Sequence, residues 1–304
     1  MKTLKSLDLK IRQYIRKWLI LPLDVPTAYF HASCIKGALG IPSFKTTVPG
    51  LLNARLESLA NSTSESARAI HQHSWVVKKL IWSEKVLNLD GEVRLTPTSR
   101  SQYWTKRLYE SVDCKELKES GNASVSNTWI DSNSYGIPGK DYIQYHHVHI
   151  NALPTRVRTS RGRRTNDQQM LCRAGCRSTE TGYHVIQQCH RTHGGRILRH
   201  NAVYKIIANS LRQRGWDVMV EKKIKGQTGT CYQPDMIISK DNKYYVIDSQ
   251  VVGCYKPLNL LYREKSDIYN RRDLKKELDL ATIDINFSSV TISWQGVWAI
   301  QSVN

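Results

Sequence analysis

Apolar residues recur three and four apart near the amino terminus and gather into short β-branched runs near the carboxy terminus, so the chain predicts helices first and a sheet last. Leu4, Leu7, Ile11, Ile15 and Trp18 fall at helical spacing, with Lys5, Lys10, Arg12, Arg16 and Lys17 on the other faces. This pattern predicts a basic amphipathic helix over 4–21 that stops at Pro22. Pro26, Gly37, Gly40, Pro42, Pro49 and Gly50 then punctuate a turn-rich stretch, and a second helical region is expected from Leu51 to about Leu89. The polar residues from Glu119 to Ser134 suggest a linker or a surface excursion. No internal repeat is visible.

Beyond Pro154 the pattern changes. Leu198 to Gln213 predicts a helix ended by Gly215, Val218 to Ile224 a strand, Asn259 to Leu280 a helix, and Val290 to Trp294 a last strand. Between them, Met236-Ile237-Ile238 and Tyr244-Tyr245-Val246-Ile247 flank a polar turn from Ser239 to Lys243 containing Asp-Asn, which predicts an antiparallel hairpin. The fold class expected is mixed α/β, helical in its first half with an α/β core at its end.

That hairpin carries chemistry. Asp235 precedes one run and Asp248 ends the other, so the turn brings both carboxylates to one end of the sheet. Paired carboxylates on rigid strands suit a hard cation such as magnesium, which takes oxygen ligands and keeps waters for a reaction. Asp is equally common in hairpins that bind no metal.

The chain has 304 residues, 40% of them hydrophobic, which excludes a disordered polymer and leaves room for two domains. Its formal charge of +19, from 45 basic against 26 acidic residues, points to a polyanionic partner, most often nucleic acid. An anionic membrane surface is the competing partner. No segment approaches eighteen consecutive apolar residues, and no lipidation motif accompanies the first basic helix, so a soluble intracellular protein is expected. The seven cysteines lie without even spacing, which fits reduced thiols, some of them on metal, better than disulfides.

Arg156, Arg158, Arg161, Arg163 and Arg164 fall within nine residues with only Thr, Val, Ser and Gly between them. Such a run gives bidentate phosphate contacts with little sequence information; it also reads as a solvated loop or a localisation signal. Next come Cys172, Cys176, His184 and Cys189, four ligands in eighteen residues, enough to close a tetrahedron around structural zinc. Buried thiols are the alternative, His190 and His193 are possible substitute ligands, and Gly175 and Gly182 supply turns. His146, His147 and His149 have no Cys or acid nearby and read as partly exposed polar surface.

Taken together, Leu171-Cys172-Arg173-Ala174-Gly175-Cys176, the knuckle through Cys189, Arg191 to Arg196, Arg199-His200-Asn201 and the Pro234-Asp235 to Asp248 hairpin resemble the carboxy-terminal part of site-specific non-LTR retrotransposon proteins with a restriction-like endonuclease, the class inserting into ribosomal RNA genes. Asp24 to Ala32 and Gly37 to Pro42 are similar to the reverse-transcriptase thumb of that class, so the resemblance covers nearly the whole chain. It implies a thumb-like and linker region over 1–118, a linker with the Arg-rich segment over 119–170, a zinc knuckle over 171–195 and a restriction-like endonuclease over 196–304. No Asp-Asp dipeptide occurs, and the resemblance implies that the polymerase palm would lie before Met1.

The resemblance also implies roles. Asp235 and Asp248 would hold magnesium, and Arg199 with His200 would belong to a DNA-binding surface, although His200 could instead cap a helix. Where the ordinary nuclease pattern has Lys, two residues after Asp248, this chain has Gln250. Gln can orient water but brings no positive charge. The family displaces that Lys to the following helix, which here corresponds to Lys265; it stands among Arg263, Arg271, Arg272, Lys275 and Lys276, any of which could be a solvated residue. The function implied is a nuclear, zinc-containing, magnesium-dependent endonuclease that nicks target DNA for target-primed reverse transcription and also binds element RNA. The alternative is a remnant that binds nucleic acid without cutting it.

Overall fold

A computed structural model describes residues 2–131, 136–164, 166–225, 229, 231–253, 256–270 and 285–303. The chain divides into two compact units, one of residues 1–118 and 127–147, the other of 119–126 and 148–304. Helix and sheet are both present, and the fold is α/β. No helix among the described residues is long and apolar enough to cross a membrane.

The first unit is helical: α1 (Lys2–Trp18), α2 (Thr27–His31), α3 (Phe44–Ala60), α4 (Glu65–His71), α5 (Ser74–Leu87), a two-residue hairpin β1 (Asn88–Leu89) and β2 (Glu92–Val93), α6 (Pro97–Tyr109), and α7 (Gly139–His149), whose residues through His147 belong here. The expected apolar stripe of α1 is only partly used, since Ile15 is buried while Leu7 and Trp18 are exposed. Its other buried residue is Asp8, whose carboxylate accepts hydrogen bonds from Ser43 Oγ, Phe44 N and Lys45 N, pairing an anion with the amides that open α3. The helical region expected from Leu51 to Leu89 is instead three helices, broken at Asn61 to Ser64 and again near His73, with Leu56 of α3 and Val76 and Leu80 of α5 meeting in one apolar cluster.

One expectation fails outright. His146 and His149 are buried, not surface residues: Tyr29 hydrogen-bonds His146 Nδ1, and the rings of Trp129 and Tyr142 enclose it. His147 contacts the Leu19 carbonyl at 3.0 Å. In the polar segment from Glu119, expected to be a linker or a surface excursion, Ser120, Ala123, Ser126, Asn127 and Ile130 are buried and the Glu119 carboxylate accepts from Leu258 N. Polar composition misled because polar side chains here find partners inside the fold: Asn127 donates to the Ile35 carbonyl, and Ser126 Oγ accepts from Trp298 N.

The second unit opens with a one-turn helix, α8 (Arg156–Thr159), and the cysteine-rich segment, followed by α9 (His193–Gln213), which starts five residues before the predicted helix. Then come β3 (Asp217–Val220), β4 (Ile224–Lys225), β5 (Cys231–Tyr232), β6 (Met236–Lys240), β7 (Lys243–Val252), α10 (Leu258–Asp267) and β8 (Ile285–Ser293). The four-stranded sheet has order β3-β6-β7-β8, antiparallel except for the parallel β7–β8 pair. The strand expected over 218–224 is interrupted at Glu221, which sits at φ +51°. The expected helix over 259–280 is α10 in its first part; residues 271–280, with Arg271, Arg272, Lys275 and Lys276, lie outside the described residues.

Alternation along the strands sets the layers. Met236 and Ile238 of β6 pack with Tyr204 and Ala208 of α9, while Ile237 packs on the other side with Ile224, Tyr232 and Phe287. On that other side α10 meets β7 and β8, so the sheet carries one helix on each face.

Candidate metal centres

The hairpin β6–β7 turns through Asp241 and Asn242, both at positive φ, as a two-residue connection requires. Its register pairs Met236 with Ile247. One step further along that ladder, Asp235 faces Asp248, so the turn fixes the separation of the two carboxylates. Both are buried. Together with His200 their ligand atoms lie within 4.8 Å of one another.

Each carboxylate has its own nitrogen partner. Asp248 Oδ2 lies 2.6 Å from Lys265 Nζ, projected from α10. Asp235 Oδ2 accepts from Ser249 N at 2.6 Å and lies 3.3 Å from His200 Nε2. Burial raises the pKa of Asp248, and the neighbouring Asp235 charge adds to this against the opposing Lys265 ammonium. Burial also acts on Asp235, but His200 and the Ser249 amide outweigh it and its pKa is lowered. The hydrogen bond to Asp235 raises His200 to about 9 against the cost of its burial, so its imidazole is charged at neutral pH.

Gln250 takes no part in this acidic cluster. Its amide donates to the Leu261 carbonyl of α10 and to Thr291 Oγ1 of β8, tying the helix that carries Lys265 to the sheet. Tyr269 stands beside the cluster as well, its pKa raised first by burial and then by Asp248. Neither the His200 contact nor Tyr269 was expected. The only hint for Tyr269 is its spacing four residues after Lys265, which puts two residues on one side of a helical turn.

A second cluster lies in the cysteine-rich segment. Leu171 bridges Thr179, and Gly175 at φ +82° closes the turn that brings Cys172 and Cys176 together. Gly182 serves differently, since a Cβ there would overlap the Asn151 side chain. His184 and Cys189 stand at the two ends of one wide helical turn, with Cys189 N bonded to His184 O. The Sγ atom of Cys189 lies 3.8 Å from that of Cys172 and 3.6 Å from that of Cys176. Thiolates at tetrahedral positions on zinc, with bonds of about 2.3 Å, are about 3.8 Å apart. Both ring nitrogens of His184 are buried without a hydrogen-bond partner, which suits a donor awaiting a metal. Of the possible substitutes, His190 Nδ1 lies 3.1 Å from Cys176 Sγ, while His193 pairs with Arg196. The four cysteine and histidine ligand atoms lie within 4.8 Å, close enough to hold one ion.

The five arginines do not form one flexible run. Arg158 is buried in α8 and donates to the Asn151 carbonyl, and Arg156 donates to the Leu171 carbonyl. Arg161, Arg163 and Arg164 are exposed. Arg156 also sits where Glu180 is clasped: the Glu180 carboxylate accepts from Arg156 N, Arg173 N and the Arg173 guanidinium. Arg199 is half-buried and donates to Gln187 Oε1. His200 lies well inside α9, so it caps no helix end.

An α/β core thus carries two buried aspartates beside Lys265 and, apart from them, a Cys3His cluster. No family model matches the chain. It is, however, a homologue of the Pol polyproteins of R2 retrotransposable elements. It is 38% identical over 97% of its length to the retrovirus-related Pol polyprotein from type-1 retrotransposable element R2 of Nasonia vitripennis, 37% identical over 99% to that from type-2 retrotransposable element R2DM of Drosophila melanogaster, and 32% identical over 98% to the R2 protein of Bradysia coprophila. The chain spans 28%, 28% and 34% of those proteins respectively.

Proposed function

We propose that this part of a retrotransposon polyprotein is a metal-dependent DNA endonuclease that nicks target DNA to prime reverse transcription, with Asp235 and Asp248 holding magnesium and Lys265 serving the attacking water. The observation that carries this reading is the meeting of Asp235, Asp248 and Lys265 from a strand start, a strand and a helix, with Lys265 Nζ 2.6 Å from Asp248 Oδ2. Two buried carboxylate oxygens fit a hard cation. When bound, the cation supplies a polarised water of lowered pKa and an electrophile for the phosphate.

The chain's own residues do the rest. Asp235 and Asp248 present oxygens from a rigid hairpin, so little reorganisation accompanies binding. The Lys265 ammonium offsets charge building on the scissile phosphate, which Gln250 at the usual lysine position cannot do. Gln250 instead pins α10 so that Lys265 reaches the site.

Zinc in the Cys172, Cys176, His184 and Cys189 cluster would hold the segment before α9 as a structural knuckle. Exposed Arg161, Arg163 and Arg164 supply phosphate contacts, with target DNA and element RNA as partners and the nucleus as the compartment. On this reading the knuckle occupies 171–195 and the nuclease 196–304.

Nicking of supercoiled plasmid DNA by the purified chain in magnesium tests the proposal. Nicking that disappears in Asp248→Ala supports it. Binding of DNA without cutting in any divalent metal would leave a nucleic-acid-binding protein with no catalytic role.

A further inference from the structure

The acidic cluster includes a third group whose chemistry does not match that of a ligand. His200 Nε2 lies 3.1 Å from the backbone carbonyl of Ser249 as well as 3.3 Å from Asp235 Oδ2. A carbonyl oxygen only accepts, so Nε2 must carry the hydrogen. A nitrogen that carries the hydrogen has no lone pair to give a cation. The same oxygen of Asp235 that faces His200 also accepts from Ser249 N, so Ser249 and His200 close a small ring of hydrogen bonds around Oδ2.

Helix α9 holds the other end of Asp235 too. Tyr204, one turn after His200 and in edge contact with its ring, donates to Glu221 Oε1 at 2.8 Å. Glu221 in turn donates its backbone N–H to the Asp235 carbonyl at 3.0 Å. Two residues on one face of α9 thus reach the carboxylate and, through Glu221, the main chain of the same aspartate. Asp235 stands just before β6 rather than within a strand, so strand pairing alone does not fix its side chain, and the His200 contact adds to the hydrogen bond from the Ser249 amide.

We propose that His200 is a positioning residue: by donating from Nε2 to Asp235 Oδ2 and Ser249 O it fixes the Asp235 carboxylate so that its orientation toward Asp248 and a bound cation is set before the cation arrives. This rests on the reading of Asp235 and Asp248 as a metal site, and it moves His200 away from a DNA-contacting role. Groups behind a ligand that orient it change metal affinity by about 10–100-fold when removed.

Manganese binding to the zinc-loaded protein, followed by electron paramagnetic resonance of the free and bound ion, tests this without any turnover. The site is defined as the manganese bound by the unmodified chain and lost in Asp235→Ala. His200→Ala should weaken binding at that site about tenfold or more, and His200→Gln, which keeps a donor on a side chain of similar reach, should recover most of it. Electron spin-echo modulation of manganese on the unmodified protein should show no directly coordinated nitrogen. A nitrogen coupling would make His200 a ligand and overturn the proposal, as would unchanged affinity in a folded His200→Ala protein with full zinc. If the unmodified chain binds no manganese that depends on Asp235, the metal site itself is wrong and the positioning role falls with it.

Discussion

Lys265 Nζ lies 2.6 Å from Asp248 Oδ2, although the two residues come from a helix and a strand seventeen positions apart in sequence. The pair sits at a buried carboxylate, so each partner depends on the other more than a surface pair would. Lys265→Ala should therefore reduce nicking by about two orders of magnitude while DNA affinity changes little, and Lys265→Arg should recover only part of the loss because the longer fork does not fit the same point contact. Single-turnover nicking beside a gel-shift titration separates the two effects. Equal loss of binding and cutting would mean that Lys265 serves the DNA and not the reaction.

The hairpin was legible in the sequence because β-branched runs and an Asp-Asn turn specify both strands and their register, and the register alone puts Asp235 against Asp248. Lys265 followed from the family resemblance. Local pattern could not place His200, since its contact exists only once α9 lies across the sheet with a particular rotation. The buried His146 and Arg158 were misjudged for a related reason: a polar side chain is assigned to the surface unless its partner is visible, and Tyr29 and the Asn151 carbonyl are remote or unmarked in sequence. The break between α3 and α4 lay unread inside the helical region expected from Leu51 to Leu89; it falls at Asn61-Ser62-Thr63-Ser64, residues whose side chains compete with helical hydrogen bonds.

Zinc content gives an independent test of the cysteine cluster. Protein purified without chelator should carry about one equivalent, and Cys176→Ser should lose most of it with loss of order in the segment before α9. His190→Ala should leave zinc in place, because His184 has both ring nitrogens buried and without hydrogen-bond partners. Loss of zinc in His190→Ala but not in His184→Ala would exchange the two histidines.

The arginines separate into two kinds. Replacing Arg161, Arg163 and Arg164 together with Ala should weaken binding to all DNA sequences alike and flatten the salt dependence by about 0.9 in log–log slope for each phosphate no longer neutralised. Arg158→Ala should instead destabilise the fold by about 2 kcal/mol or more, since it strips a buried carbonyl of its charged donor. Chemical denaturation and salt-titrated binding of both variants distinguish the groups. An unchanged slope in the triple variant would make that segment a solvated loop.

Glu180 supplies the pH dependence. Burial alone would raise its pKa, but the Arg173 guanidinium and the amides of Arg173 and Arg156 outweigh it, and the pKa is held below its ordinary value of 4.5. A carboxylate with a depressed folded-state pKa stabilises the fold at pH values above its unfolded pKa, and that stabilisation is lost as pH falls through the folded value. Between pH 7 and about 5 the clasp is fully charged; below about 4.5 it weakens progressively. Glu180→Gln removes the charge at every pH while keeping the shape, so it should cost about 2 kcal/mol at pH 7 and progressively less as the pH falls below about 4.5. Denaturant unfolding of both proteins across that range, compared pair by pair, cancels the protonation of the zinc ligands common to the two. A difference that stays constant with pH would mean that the Glu180 charge contributes nothing and that only its hydrogen-bonding shape matters.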